Sequence, residues 1–283
     1  MKKLRTRKID SGGNDQQMFD IPLFGGDKAQ VLNRISNRLK SIPSGQGKPF
    51  WIATVNPEFV MKAVEDDNFK EILQKKTSLN VVDGIGLVWA KQVTAKFRDC
   101  RSSFWGRVCL GVKVGMEVLQ GKYKNQVAAG SSLIDDLCGL AKKEDYRVFF
   151  LGGWGDRAKR TAGFFEKKYK GLQTAWSSGE PGVKNARVLA KINKLKPDFL
   201  FVAYGMKKQE EWIERNLSKL NVGAVMGVGR SFDYYSGELK RAPKIWCDMG
   251  LEWLYSLIKE PKRWRRQLAL LRFVWRVVKE GIV

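Results

Sequence analysis

Short apolar runs punctuate this chain, and between most of them lie 12 to 25 residues whose apolar positions recur at helical spacing. The runs predict strands at Phe50 to Thr54, Leu79 to Val82, Gln126 to Ala129, Arg147 to Leu151, Leu172 to Ala175, Phe199 to Ala203 and Ala224 to Gly227. Strands alternating with helices build βαβ units, so the pattern predicts an α/β protein with a mostly parallel, Rossmann-like sheet flanked by helices. Residues 1–20 are polar and without periodicity, which predicts a flexible N-terminal arm. Residues 21–245 form the α/β core, and residues 246–283 a C-terminal helical appendage. Residues 91–125 break the rhythm, with eight Lys/Arg against Asp99 and Glu117, interleaved with Phe97, Phe104 and Trp105.

The appendage carries its own pattern. On a helical wheel Trp264, Leu268, Leu271, Trp275 and Val278 form one apolar stripe, with Arg265, Arg272, Arg276 and Lys279 on the other side. Arginines interrupt the apolar run, and it is too short to cross a bilayer. It suits an interfacial helix with tryptophans at headgroup depth and basic residues against anionic lipid. A terminal helix packed on the core would show the same amphipathicity.

Composition sharpens this picture. The 283 residues carry a formal charge of +23, only +5 of it on residues 252–283, which points to an anionic partner. The four cysteines, at 100, 109, 138 and 247, lack CxxC spacing and follow no secretory signal, so neither disulfides nor structural zinc are expected and a reducing cytoplasm is. Histidine is absent, which removes Ser-His and Cys-His chemistry and leaves carboxylate, Lys, Tyr or Cys as the base.

Ligands of parallel α/β sheets bind beyond the carboxyl ends of strands, so the residues there are candidates. In "IATVNPEFV", Thr54 and Asn56 stand at such an end, although Asn56 followed by Pro57 and Glu58 is equally a helix start. In "LNVVDGIGLVWA", Asp83 is the best-placed carboxylate for a base, although Asp-Gly is also common turn chemistry. "RVFFLGGWGDRAKR" sets Gly153, Gly155 and Ala158 at G-x-G-x-x-A spacing, a backbone cradle for a diphosphate or a plain tight turn. The next strand ends in serines instead of the acidic residue a dinucleotide ribose needs, so a nicotinamide cofactor is not expected. The fourth junction, "FVAYGMKKQEEWIERN", presents Gly205, Lys207, Lys208, Gln209 and Glu210.

Together and in order, "TVNPEFV", "VVDGIGLVWA", "VFFLGG", "FVAYGMKKQEEWIERN", "GVGRSFDYYSGELKRAP" and "GLEWLYSLIKEPKRWRR" resemble the WecG/TagA/CpsF family of bacterial glycosyltransferases across residues 50 to 266. The resemblance implies a GT-E type fold. It implies inverting transfer of a sugar (N-acetylmannosamine, its uronic acid or a hexose) from a UDP-sugar to a polyprenyl-diphosphate-linked saccharide. It also implies peripheral attachment at the cytoplasmic face of the bacterial inner membrane, with neither metal nor cofactor. Asp83 is then the general base, with Thr54, Asn56 and Gln209 lining the sugar pocket. The donor side is assigned to Gly152, Gly153, Gly205, Lys208, Gly229, Arg230 and Asp233, and contact with diphosphate or lipid to Arg241, Arg263, Trp264 and Arg266. No Asp-x-Asp is present to hold a metal at the diphosphate.

The chain departs from the family pattern in several places. Val127 and Ser256 stand where arginines are usual, Ser132 where Asp is, Lys207 where Pro is and Arg230 where a second Gly is. Arg230 and Lys207 are candidates to replace the missing cations. The partners expected are the UDP-sugar, the lipid-linked acceptor and an anionic membrane surface, with homo-oligomers left open. A relative that has lost donor turnover is the main alternative. A basic nucleic-acid-binding protein is a weaker one, since no RRM, KH or zinc module is recognisable.

Overall fold

The computed structural model describes residues 16–42, 46–99, 103–123, 126, 130–179, 182, 186–249 and 251–280. Six parallel strands form the central sheet: β3 (Phe50–Val55), β4 (Leu79–Val82), β5 (Arg147–Gly152), β6 (Gln173–Ser177), β7 (Phe199–Ala203) and β8 (Ala224–Gly227), in spatial order β4-β3-β8-β7-β5-β6. Helices cover both faces, so strand residues such as Trp51, Ile52, Phe149, Phe150, Leu200 and Phe201 are fully buried whichever way they point. That is why these strands read as continuous apolar runs instead of alternating ones. The strand expected at Gln126 to Ala129 falls largely outside the described residues, and Gln126 itself is in a 3-10 turn conformation.

The folded region begins earlier than the polar N-terminus suggested. Strands β1 (Gln16–Met18) and β2 (Ile21–Leu23) form an antiparallel hairpin that buries Met18, Phe19 and Ile21. Its two-residue turn places Phe19 (φ 52°) and Asp20 (φ 64°) in the left-handed region, matching the strand twist without a glycine to signal it. Phe24, just beyond β2, bridges Val81 and joins the hairpin to the β4 edge.

The helices in chain order are α1 (Lys28–Ser41), α2 (Pro57–Glu65), α3 (Asp67–Glu71), α4 (Ile85–Asp99), α5 (Phe104–Leu119), α6 (Gly130–Lys143), α7 (Arg157–Lys168), α8 (Ala186–Leu195), α9 (Lys208–Asn216), α10 (Ser231–Tyr235), α11 (Lys244–Asp248), α12 (Glu252–Lys259) and α13 (Trp264–Glu280). Helices α1, α6 and α7 bury their apolar faces with Ile52, Phe150 and Phe201, while α8 and α9 cover Trp51, Phe149 and Leu200.

Helix α13 is docked on the core through a face the wheel did not single out. Phe273 and Val277 are buried with Phe59 of α2 and Val93 of α4. Most of the expected stripe points the other way: Trp264, Leu271 and Trp275 are 54%, 66% and 55% exposed, and only Val278 of that set is buried. The helix therefore has two apolar faces, one buried in the core and one largely exposed. Phe273→Ala should cost about 3–5 kcal/mol of stability through loss of burial and the cavity left behind. Leu271→Ala should stay within about 0.5 kcal/mol. Urea denaturation of both variants checks the assignment of the two faces.

Candidate functional site

The carboxyl ends of β4, β3, β8 and β7 lie side by side, and each contributes a polar group there. Asp83 follows β4, where its backbone N–H is fixed to the Val55 carbonyl at 2.7 Å. Its carboxylate accepts from the Gly130 N–H at the head of α6 (Oδ1, 3.2 Å). A methyl group on Gly130 would stand 3.2–3.4 Å from Thr54 side-chain atoms, so Thr54 and Asp83 flank the same glycine. Thr54, buried near the end of β3, donates from Oγ1 to the Gly227 carbonyl at 3.4 Å.

Gln209 and Glu210 enter from the start of α9, both almost completely buried. The Gln209 amide accepts from the Gly229 N–H at 2.9 Å and donates to Glu210 Oε1 at 2.8 Å, and Glu210 Oε2 accepts from the Lys207 N–H at 2.9 Å. Gly227 permits this arrangement: a Cβ there would lie 2.5 Å from Gln209 Nε2 and 2.6 Å from Glu210 Oε1. Thr54, Asp83 and Gln209 are thus gathered as the sequence suggested. Asn56 lies just beyond Thr54 and caps α2, accepting from the Phe59 N–H at 3.0 Å.

Among the described residues neither half-buried Asp83 nor buried Glu210 has a cation in contact, and both carboxylates are pushed up to about 7. For Asp83 the main cause is lost hydration, opposed by the Gly130 N–H and Arg241 and reinforced by the charge of Glu252. For Glu210 burial again dominates, against the hydrogen bonds from Gln209 and the backbone.

The cations around this centre are held by acids. Arg230 contacts Glu260 (2.6 Å) and Asp233 (3.3 Å), and Arg157 meets Asp233 at 2.7 Å. Arg241 lies 3.6 Å from Glu252, and Arg266 grips Glu58 through two contacts of 2.9 and 3.2 Å. Gly229, Arg230 and Asp233 sit together, and Gly152, Gly153 and Gly205 turn at strand ends with positive φ. Lys208 is exposed at the first turn of α9. Lys207 is anchored on Asp66 at 2.6 Å, so the lysine expected to replace a missing arginine is already engaged elsewhere. Ser256, on α12, neighbours Tyr234. Val127 and the Arg263 side chain lie outside the described residues.

Several participants were not assigned a role from sequence. Glu210 was named at the fourth junction, but nothing local distinguishes its buried carboxylate from that of partly exposed Glu211. Arg157 and Glu252 reach the site only through tertiary contacts. Lys91 lines a cavity of about 330 Å3 between the hairpin and α4, beside Val82, and burial lowers its pKa.

A raised carboxylate pKa means that the folded chain keeps a proton the unfolded chain releases. The stability from Asp83 is therefore fullest below about pH 4 and is lost as pH rises to about 7. Asp83→Asn should flatten the fall in melting temperature across that window and melt higher than the wild type above pH 7. Thermal denaturation across the pH range checks this.

Sequence comparisons place the chain among known proteins. The profile of the Glycosyl transferase WecG/TagA/CpsF family matches residues 16–102 and 95–283. The N-acetylglucosaminyldiphosphoundecaprenol N-acetyl-beta-D-mannosaminyltransferase of Bacillus spizizenii (strain ATCC 23059 / NRRL B-14472 / W23) is 30% identical over 250 residues, 88% of this chain and 86% of that protein. The protein of the same name from Bacillus subtilis (strain 168) is 29% identical over 229 residues, 81% of this chain and 79% of its own length. That of Staphylococcus aureus (strain MW2) is 25% identical over 256 residues, 89% of each chain. With a family match over nearly its whole described length, and with the family's motifs assembled at one edge of the sheet, the chain belongs to the WecG/TagA/CpsF family of glycosyl transferases.

Proposed function

We propose that the protein transfers a sugar, with inversion, from a UDP-sugar to a polyprenyl-diphosphate-linked saccharide during synthesis of a bacterial surface polymer. The relatives' names favour N-acetylmannosamine as the sugar and a diphosphoundecaprenol-linked N-acetylglucosamine as the acceptor. The observation that carries the reading is Asp83: a carboxylate with a pKa near 7 at a strand end, its Oδ1 oriented by a backbone N–H.

In this reaction the acceptor hydroxyl gives its proton to Asp83 as its oxygen bonds to the sugar C1. The bond from C1 to the diphosphate oxygen breaks, and UDP leaves with that electron pair. A base with a pKa near working pH combines ionisation with real proton affinity. Thr54 and Gln209 wall the sugar side, and Asn56 stays within reach while capping α2. The donor diphosphate falls to Arg230, with the glycine turns at Gly152, Gly153, Gly205 and Gly229 admitting close backbone approach. Arg230 and Arg241 are held by Glu260 and Glu252, so the diphosphate must compete with these acids or share the arginines with them. Charge on the leaving group is then met by arginine and backbone, without a metal. Among the described residues no group of three acidic or thiol side chains is placed to hold one.

The acceptor's lipid places the enzyme at a membrane surface, with the basic C-terminal helix against anionic headgroups. Among the described residues no helix is long and apolar enough to cross a membrane.

Asp83→Asn should lower turnover at least about 100-fold while leaving UDP-sugar binding intact. The wild-type kcat/KM should rise with pH through a midpoint near 7, as Asp83 loses its proton. Transfer of radiolabelled sugar to a short-chain lipid-linked N-acetylglucosamine reads both. UDP-sugar binding without transfer by the wild type would make the chain a non-catalytic relative. Activity should survive EDTA; loss on chelation, restored by Mg²⁺ or Mn²⁺, would overturn the metal-free reading. Ser256→Arg should lower KM for the donor by adding a charge-assisted contact beside Arg230.

A further inference from the structure

Helix α5 presents apolar side chains to solvent along its whole length. Trp105, Val112, Met116 and Leu119 are 72%, 59%, 53% and 45% exposed, and Cys109 is exposed between them. Their spacing puts all five on one stripe. The opposite side of the helix buries Gly111, Val114 and Val118, so α5 is apolar on both faces. An apolar helix face is normally buried, and among the described residues this outer one is not.

The stripe is not isolated. Phe104, at the head of α5, meets Trp275 of α13 edge-on, with ring centroids 5.9 Å apart. Arg107 donates to the carbonyls of Val278 and Lys279, tying α5 to the last turn of α13. The exposed Leu271 and Trp275 of α13 therefore lie beside the exposed apolar face of α5. Around this surface stand Lys113, Arg272, Arg276 and Lys279, all basic. Among the described residues Arg272 and Arg276 meet acids at 3.5 Å (Glu65) and 3.6 Å (Glu280), and exposed pairs of this kind contribute little. The one acid on α5, Glu117, is turned towards Lys96, Lys122 and Tyr123. The two segments of the family match meet at residues 95–102, where α4 ends and α5 follows.

We propose that the outer face of α5 is a membrane-contacting surface, which inserts Trp105, Val112 and Met116 into the interface of an anionic phospholipid leaflet alongside α13. An apolar stripe with a tryptophan at its end and basic residues at its rim matches the depth profile of such an interface. A chain of net charge +23 matches its sign. The proposal rests on the lipid-linked acceptor assigned above and adds to it a second element that holds the enzyme on the leaflet. It also fixes an orientation, since the N-terminal end of α13 reaches Glu58, next to the Asn56–Pro57 turn of the site.

The test uses the full chain and vesicles of phosphatidylglycerol and phosphatidylcholine in equal parts. The triple variant Trp105→Ser/Val112→Ser/Met116→Ser should keep its melting temperature and its transfer to a soluble short-chain acceptor. It should partition onto vesicles at least about tenfold more weakly, given the apolar area removed. Unchanged partitioning overturns the proposal. So does a variant that turns a dimer into a monomer by light scattering while still binding vesicles, because the face would then join two copies. A second readout is independent of the variant. An environment-sensitive fluorophore on Cys109, with Cys100 and Cys247 replaced by Ser, should shift to the blue when vesicles are added, and no shift overturns the proposal. A wild type that transfers no sugar but shows the shift leaves this proposal standing while the transferase reading fails.

Discussion

Two carboxylates with no cation in contact among the described residues sit at the carboxyl edge of the sheet, and the surrounding architecture follows from keeping them there. Asp83 and Glu210 have lost much of their hydration, and backbone N–H groups and one amide replace it. Hydrogen bonds of this kind hold a carboxylate without neutralising it, whereas an arginine in contact would pull its pKa down and remove its proton affinity. The close approach of Gln209 and Glu210 to β8 needs a residue without Cβ at Gly227, and Gly130 has to stand between Thr54 and Asp83. The polar centre therefore depends on the register of four strand ends as much as on the residues that carry its chemistry.

The arginines complement this arrangement from a distance. Arg230, Arg241, Arg157 and Arg266 each contact an acid, so the positive charge near the site is stored in ion pairs. Such a network holds side chains in place at low cost when no anion is present, and it can exchange partners when one arrives. The protein is thus far less charged at its centre than its composition suggests.

Helix α13 connects these regions. Its inner face closes the core over α2 and α4, its N-terminal turn reaches the site through Arg266, and its outer face continues the apolar surface of α5. Core packing and an exposed apolar stripe are not alternatives for this helix, because it has a face for each.

The sequence alone determined the parallel α/β sheet, since strands buried on both sides must be continuous apolar runs, and six of the seven expected runs are strands. It also pointed to Thr54, Asp83 and Gln209 as residues after strand ends, where ligands of such sheets bind, and the family resemblance implied that they share one pocket. It did not reveal the β1–β2 hairpin, whose turn uses Phe19 and Asp20 instead of a glycine pair. The buried face of α13 was hidden because the wheel singled out the stripe from Trp264 to Val278, and amphipathicity alone does not say which face meets the core. Only the tertiary structure decided that Lys207 is spent on Asp66, that Arg157 holds Asp233 across the fold, and that Glu210 is buried while Glu211 is not. Local pattern reports what a residue can do within its own element; whether a charge is hydrated, paired or alone depends on elements far away in the chain.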